Sequence, residues 1–293
     1  MVDFKELTKV PLSNLDKVIY PKLGITKAKI IEHYVRAAPL ILPFLEGRAA
    51  VMNRFPDGVG EEGFYEKDAP KGTPSWVKIY KRYSETARRE INYVVCDDLD
   101  TLIWMANLAA VEINMPLSKV SSYEAPDFIL FDIDPEPPFG FSEACQVALM
   151  LLDELESFGY RSYVKTSGKK GLHVVIPIVP SSNFEKTREF VHQMGRLLAK
   201  KSRMVVSEFS QSRDPSTVFV DFLQNGAGRT MVVPYSLRAT PTATVSTPIS
   251  WTDLRKGIRP EEFHILTVAG RLKELGPGGD PWSGLLEDRQ ELG

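Results

Sequence analysis

Ile129-Leu130-Phe131-Asp132-Ile133-Asp134-Pro135 places two carboxylates at the end of an apolar run. Read as a strand, the run alternates its side chains between two faces, so Asp132 and Asp134 share one of them. Like charges so placed repel each other and lose hydration, and a hard divalent cation with oxygen ligands would offset both costs. The plainer alternative is a strand that ends at a turn, with Pro135, Pro137 and Pro138 directing the chain outward. Short Asp-X-Asp motifs recur by chance, so the metal reading requires further carboxylates and anion-binding groups elsewhere in the chain.

Such groups are present. Tyr160 to Thr166 and Leu172 to Ile178 read as two β-rich runs joined by Ser167-Gly168-Lys169-Lys170-Gly171. The glycines of that turn permit close backbone approach and its lysines attract anions. Ser167 and His173 would flank a concave, positively charged turn suited to a polyphosphate, although a lone strand histidine is more often a packed residue. In Val218-Phe219-Val220-Asp221-Phe222-Leu223 a single carboxylate interrupts an apolar strand. Burying Asp221 alone would cost several kcal/mol, so it needs either an ion pair or a cation shared with Asp132 and Asp134.

Taken in order, Phe131-Asp132-Ile133-Asp134-Pro135, Lys165-Thr166-Ser167-Gly168-Lys169-Lys170-Gly171-Leu172-His173-Val174, Val220-Asp221 and Pro234-Tyr235-Ser236-Leu237-Arg238-Ala239 resemble the primase-polymerase domain of bacterial DNA ligase D. That domain belongs to the archaeo-eukaryotic primase superfamily. The resemblance runs from Asn14 to Trp251 and implies nucleotidyl transfer by two metal ions. Asp132, Asp134 and Asp221 would hold Mn²⁺ or Mg²⁺ and act as the catalytic carboxylates. Ser167, Lys170 and His173 match the family's nucleotide-binding motif, Arg238 resembles a triphosphate clamp, and Asn114 lies near where the family contacts the sugar. Phe64 and Tyr65 match a segment that stacks on template bases, with Arg54 and Lys67 beside it as DNA contacts. Lys17 and Lys27 match two lysines that resemble holders of a downstream 5′-phosphate.

The chain departs from the family at three of these places. Asn53 replaces a basic residue before Arg54, Asn114 stands where many bacterial members carry histidine, and Thr240 replaces a second arginine after Arg238. These changes bear on nucleotide affinity and sugar discrimination.

With 293 residues, 43% of them hydrophobic, the chain can bury a substantial core as one large domain or two lobes. Its formal net charge of −2 excludes a globally basic nucleic-acid binder, so DNA contacts must come from local patches. One candidate patch is Lys78, Lys81, Arg82, Arg88 and Arg89 around Tyr80 and Tyr83. The two cysteines, Cys96 and Cys145, exclude a disulfide framework or a cysteine-rich zinc module. No signal peptide or long apolar run is visible, which predicts a cytoplasmic protein without membrane contact.

Local patterning predicts helix over 12 to 46, strands and basic loops over 49 to 95, and a buried helix from Asp100 to Asn114 stopped by Pro116. Ser142 is a candidate N-cap for a helix reaching Phe158 and ending at Gly159, and Phe184 to Lys200 forms another. The order of elements predicts an α+β fold with mixed or antiparallel sheets flanked by helices, the arrangement of the primase-type core. A single domain over 1–293 is expected: a helical N-terminal segment to 48, a catalytic core over 49–275, and a loosely packed tail over 276–293. If Thr26 caps the first helix, Lys27 lies in its first turn, where the macrodipole disfavours a cation unless a phosphate is bound there.

The resemblance implies a template-directed polymerase that extends a primer with NTPs or dNTPs at gapped or broken DNA ends bearing 5′-phosphates. It would prefer ribonucleotides and work with Ku and a separate DNA ligase in non-homologous end joining. A replicative or plasmid primase is the nearest alternative, weakened by the lack of a Cys/His cluster for a zinc element. A DxD glycosyltransferase and a non-enzymatic DNA-end binding module are the readings from other classes.

Overall fold

The computed structural model describes residues 7–85, 87–208 and 215–293. The chain divides into two compact units, the first comprising Met1–Pro116, Val232–Val245 and His264–Pro277, the second Leu117–Met231, Ser246–Phe263 and Gly278–Gly293.

In the first unit, the segment read as helix from residue 12 begins instead with the antiparallel pair β1 (Val18–Tyr20) and β2 (Ile25–Thr26). Pro21 opens a single 3₁₀ turn and Gly24 reverses the chain at φ +63°, a left-handed position that glycine tolerates. Helix α1 then runs over Lys27–Leu45 and buries Ile30, Ile31, Tyr34, Ala37, Ala38 and Ile41. Thr26 has the extended backbone of an N-cap but makes no capping side-chain hydrogen bond.

Strands β3 (Ala49–Arg54), β4 (Phe64–Glu66), β5 (Lys78–Ser84) and β6 (Arg89–Val95) follow. The expected helix from Asp100 to Asn114 is half right. Asp98 caps α2 (Leu99–Asn107) by accepting from the Thr101 N–H at 2.7 Å, after which Ala109 takes φ +61° and the chain returns as β7 (Ala110–Pro116). All seven β7 residues are buried, so the apolar run lacks the alternation that would mark it as a strand. The sheet order is β7-β3-β6-β5, all antiparallel, with β4 also paired to β3.

The second unit is a six-stranded sheet. Its strands are β8 (Phe128–Pro135), β9 (Tyr163–Thr166), β10 (Leu172–Pro177), β11 (Val205–Val206) and β12 (Val218–Asp221). After β13 (Thr230–Val232) the chain leaves this unit, and β14 (Pro248–Ile249) supplies the sixth strand in the order β11-β12-β8-β10-β9-β14. Among the described strands of this sheet β11 and β12 run parallel and the other neighbours antiparallel. Helices α3 (Phe141–Ser157) and α4 (Phe184–Lys201) pack on one face, where Phe131 meets Phe190 edge-on with ring centroids 6.2 Å apart. The N-cap of α3 is Gly140, not Ser142: the Gly140 N–H donates to the Glu143 carboxylate at 2.8 Å and the helix begins two residues early. Gly159 follows its end at φ +82°, as the pattern predicted.

Helices α5 (Trp251–Lys256) and α6 (Ile265–Gly279) complete the fold. The tail after α6 is not loose. Trp282 and Leu285 are buried, and the Trp282 indole donates to the Val164 carbonyl of β9 at 3.0 Å. Arg161 pairs with Asp288, and the Val179 N–H donates to the Gln290 carbonyl. A glycine-rich stretch thus leads into an apolar anchor that composition alone did not reveal. The α+β class with antiparallel sheets and flanking helices is as the sequence predicted. Among the described residues no helix is long and apolar enough to cross a membrane.

Candidate active site

Strand register assembles the acidic group. On the central strand β8, Asp132 lies directly opposite Asp221 of β12 on one side and His173 of β10 on the other. Residues directly opposite in a ladder project to the same face, so Asp221, Asp132 and His173 form a row across three strands, with Asp134 two residues along. The face is the one opposite Phe131, which is fully buried against Phe190 of α4. His173 Nε2 is 3.5 Å from an Asp132 carboxylate oxygen.

The turn between β9 and β10 closes beside this row. The Ser167 N–H donates to the Gly171 carbonyl at 3.0 Å, and Ser167 Oγ accepts from the N–H groups of Lys169 and Gly171 at 3.2 Å each. Lys170 Nζ lies 3.3 Å from Asp134 and donates to the Pro135 carbonyl at 2.8 Å. Gly171 is required by space: a Cβ there would lie 2.2 Å from the Ile133 carbonyl oxygen. All six residues assigned to metal and nucleotide in this region are therefore brought together within the second unit.

The donor set suits a hard divalent cation, with three carboxylates on adjacent positions of one sheet face. Among the described residues no three His, Cys, Asp or Glu side chains converge as a finished coordination sphere. Each carboxylate faces a protein partner instead: Asp132 faces His173, Asp134 faces Lys170, and Asp221 accepts from the Leu223 N–H at 2.8 Å. The same row contains a residue that sequence reading left without a role. Lys165 is opposite His173 on β9, is fully buried, and places Nζ 2.5 Å from Ser246 Oγ. Its signal was a lysine inside an otherwise buried strand.

A second group of candidate residues lies within the first unit. Arg238 Nε donates to Glu112 at 3.0 Å, as does the Ala239 N–H, while Asn53 donates to the other Glu112 oxygen at 3.1 Å. Glu112 is buried on β7, in a segment whose apolar pattern reads as helix. The departure at Asn53 thereby gains a structural reason, since its amide satisfies a buried carboxylate oxygen. Asn114, two residues along β7 on the same face, is 8% exposed, and among the described residues its amide nitrogen has no hydrogen-bond partner.

On β4, Phe64 and Tyr65 are 43% and 48% exposed, so neither is a core residue. The Arg54 guanidinium sits over the Phe64 ring at 5.0 Å and pairs with Glu66 at 2.7 Å; Lys67 Nζ is 5.8 Å from the Tyr65 ring centroid. Flat rings flanked by cations are the composition of a base-stacking platform. In the basic strand pair, Asp97 and Asp68 hold Lys78 and Arg89 in ion pairs.

Lys17 and Lys27 are joined by backbone, the Lys27 N–H donating to the Lys17 carbonyl at 2.9 Å. Lys27 is buried, donates to the Asn107 carbonyl at 3.0 Å, and has its pKa lowered by burial and by the charge of Lys17. Lys17 lies 3.1 Å from Asp57. The N–H groups of Lys27 and Ala28 already bond the carbonyls of Lys17 and Leu15, so an anion here would be met by lysine side chains rather than by those two helix donors. Burial, then Glu143, pushes the Cys145 thiol up to about 12 and burial also raises Cys96, which disfavours the thiolate at both.

Comparison with known proteins gives a consistent answer. The family described as LigD, primase-polymerase domain, matches residues 26–282. The bifunctional non-homologous end joining protein LigD of Bacillus subtilis is 31% identical over 289 residues, covering 95% of this chain and 46% of that protein. A multifunctional LigD of Mycobacterium tuberculosis is 32% identical over 258 residues, covering 84% and 33%. The chain thus spans less than half the length of these relatives. The solved polymerase domain of Mycobacterium tuberculosis Ligase D, in complex with DNA, superposes with a TM-score of 0.87 at 27% identity over 96% of this chain and 99% of that one.

Proposed function

Because the chain belongs to the LigD primase-polymerase domain family, we propose that it is a template-directed nucleotidyltransferase that fills gaps at broken DNA ends in non-homologous end joining. The observation that carries this reading is the row Asp221, Asp132 and His173 on one sheet face beside the Ser167–Gly171 turn. Divalent cations, when bound, lower the pKa of a primer 3′-hydroxyl and neutralise charge on the triphosphate and leaving pyrophosphate. Asp132, Asp134 and Asp221 would hold them, and carboxylate and water ligands accept Mn²⁺ or Mg²⁺. Lys170, Ser167 and His173 meet the nucleotide's phosphates, and Arg238 offers a planar fork suited to phosphate oxygens. Template bases stack on Phe64 and Tyr65, with Arg54 and Lys67 beside them. Ku and a DNA ligase activity act with the polymerase at the break.

Ribonucleotides are the preferred substrates in this reading. The support is Asn114, whose buried amide offers both a donor and an acceptor for a sugar hydroxyl. Primer extension on gapped DNA with Mn²⁺ is the test. Extension directed by the template base, faster with each ribonucleotide than with its deoxy partner, is expected. Chain initiation without a primer would mean a primase instead, and no incorporation at all would remove the polymerase reading. A consistent deoxyribonucleotide advantage would remove the ribonucleotide preference and with it the assignment of Asn114, leaving the polymerase reading in place.

Lys17 and Lys27 receive the downstream 5′-phosphate. Burial and mutual repulsion disfavour the Lys27 ammonium, and an anion between the two lysines would offset both. The Lys17→Ala/Lys27→Ala protein is expected to bind 5′-phosphorylated gapped DNA more weakly by about 1–3 kcal/mol, the range for charge-assisted hydrogen bonds. Binding to the same DNA ending in a 5′-hydroxyl should change much less. Titrations against both DNAs check this, and an equal loss on each would make the lysines general backbone contacts.

A further inference from the structure

Resting on the polymerase reading above, we infer that Tyr34 and Ser236 are positioning residues for nucleotide binding, a buried hydroxyl pair that fixes Arg238 and its partner Glu112. The two hydroxyls bridge β7 and the segment that carries the arginine. Tyr34 Oη donates to the Val111 carbonyl at 2.6 Å and accepts from the Leu237 N–H at 3.3 Å. Ser236 Oγ accepts from the Ile113 N–H at 2.9 Å, lies 3.0 Å from the Leu237 carbonyl, and is 3.2 Å from Tyr34 Oη. Val111 and Ile113 flank Glu112, and Leu237 precedes Arg238. Both backbones around the Arg238–Glu112 ion pair are thus tied to the same two oxygens.

Two further side chains tie the ends of that segment. His33 Nε2 is 2.8 Å from the Tyr235 carbonyl, and burial lowers the imidazole to about 4, so at neutral pH it is the uncharged donor. Tyr20 Oη donates to the Arg238 carbonyl at 2.9 Å. Tyr235 itself sits at φ +62°, a conformation that a tyrosine adopts only where its surroundings impose it. Tyr34 and Ser236 are fully buried, so neither can touch a nucleotide directly. Their effect on substrate must pass through Arg238, whose guanidinium is useful as a phosphate fork only when its plane is held.

The test is a KM-against-kcat comparison on gapped DNA, combined with a mutant cycle. Ser236→Ala, which removes the oxygen that contacts the Ile113 N–H, the Leu237 carbonyl and Tyr34 Oη, is expected to raise KM for the incoming nucleotide about tenfold or more, with kcat changed less. Tyr34→Phe, which removes one oxygen and keeps the ring, should do the same if Ser236→Ala folds poorly. Affinity for 5′-phosphorylated DNA should stay at the wild-type value in both. In an Arg238→Ala background, adding Ser236→Ala should raise KM no further, because the arginine it acts through is gone. An unchanged KM in both single variants overturns the inference. So does a full additional loss on top of Arg238→Ala, which would mark a general structural role. Wild-type protein that binds no nucleotide would overturn the polymerase reading itself, and this inference with it.

Discussion

Replacing any one of Asp132, Asp134 or Asp221 by alanine is expected to abolish nucleotide addition while leaving DNA binding near the wild-type level. The carboxylates occupy one face of two adjacent strands, β8 and β12, and are the part of the proposed chemistry assigned to the cations. Removing a single group that stabilises transition-state charge costs roughly 10²–10³ in rate, and loss of a metal ligand should reach or exceed that. Asp221 also caps the turn after β12 through the Leu223 N–H, so Asp221→Asn is the cleaner variant there: the amide oxygen keeps the cap while the charge is lost. Single-turnover extension on gapped DNA, with gel-shift titration of the same samples, measures both quantities. Wild-type extension by any one variant would remove that residue from the metal site.

Gly171→Ala should damage both stability and nucleotide binding, because the new Cβ would meet the Ile133 carbonyl oxygen at 2.2 Å. That atom belongs to the backbone of β8, between the two aspartates, and is held by sheet pairing on both sides. The turn must therefore move rather than the strand. Forcing extra volume into such a contact costs roughly 1–3 kcal/mol. Displacing Ser167, Lys170 and His173 by about 1 Å should lower catalytic efficiency on the order of 10²-fold. Gly270→Ala serves as the comparison, since its Cβ would meet nothing within 4 Å on α6 and alanine is the better helix former. Urea denaturation and steady-state extension of the two proteins check the contrast. Equal stability for both variants would show that the β9–β10 turn is free to shift.

Local pattern alone determined the acidic strand and the glycine-lysine turn, and the motifs in their order carried the resemblance to the family. Asp132 and Asp134 share a face because side chains alternate along any strand, and Ser167 to Gly171 must turn because two β-rich runs flank it. Those facts hold whatever the rest of the chain does. The N-terminal helix and the helix after Asp98 were legible only in part, because Gly24 and Ala109 end or redirect the chain through positive φ values that the apolar pattern does not encode.

Tertiary structure decided everything that depends on pairing across long separations. That Asp221 faces Asp132 follows from the register of β12 on β8, and that Glu112 receives Arg238 follows from contact between residues 126 apart in sequence. Strand β7, fully buried, carries no alternation by which Glu112 or Asn114 could have been assigned to a face. Lys165 reads as an ordinary lysine until β10 and β14 cover it on both sides, and the tail reads as loose until Trp282 finds the Val164 carbonyl. The physical reason is common to all of these. A charge or a ring declares its own chemistry in the sequence, but its partner is chosen by the free energy of assembling the whole sheet, in which distant backbone hydrogen bonds and buried area outweigh any local preference.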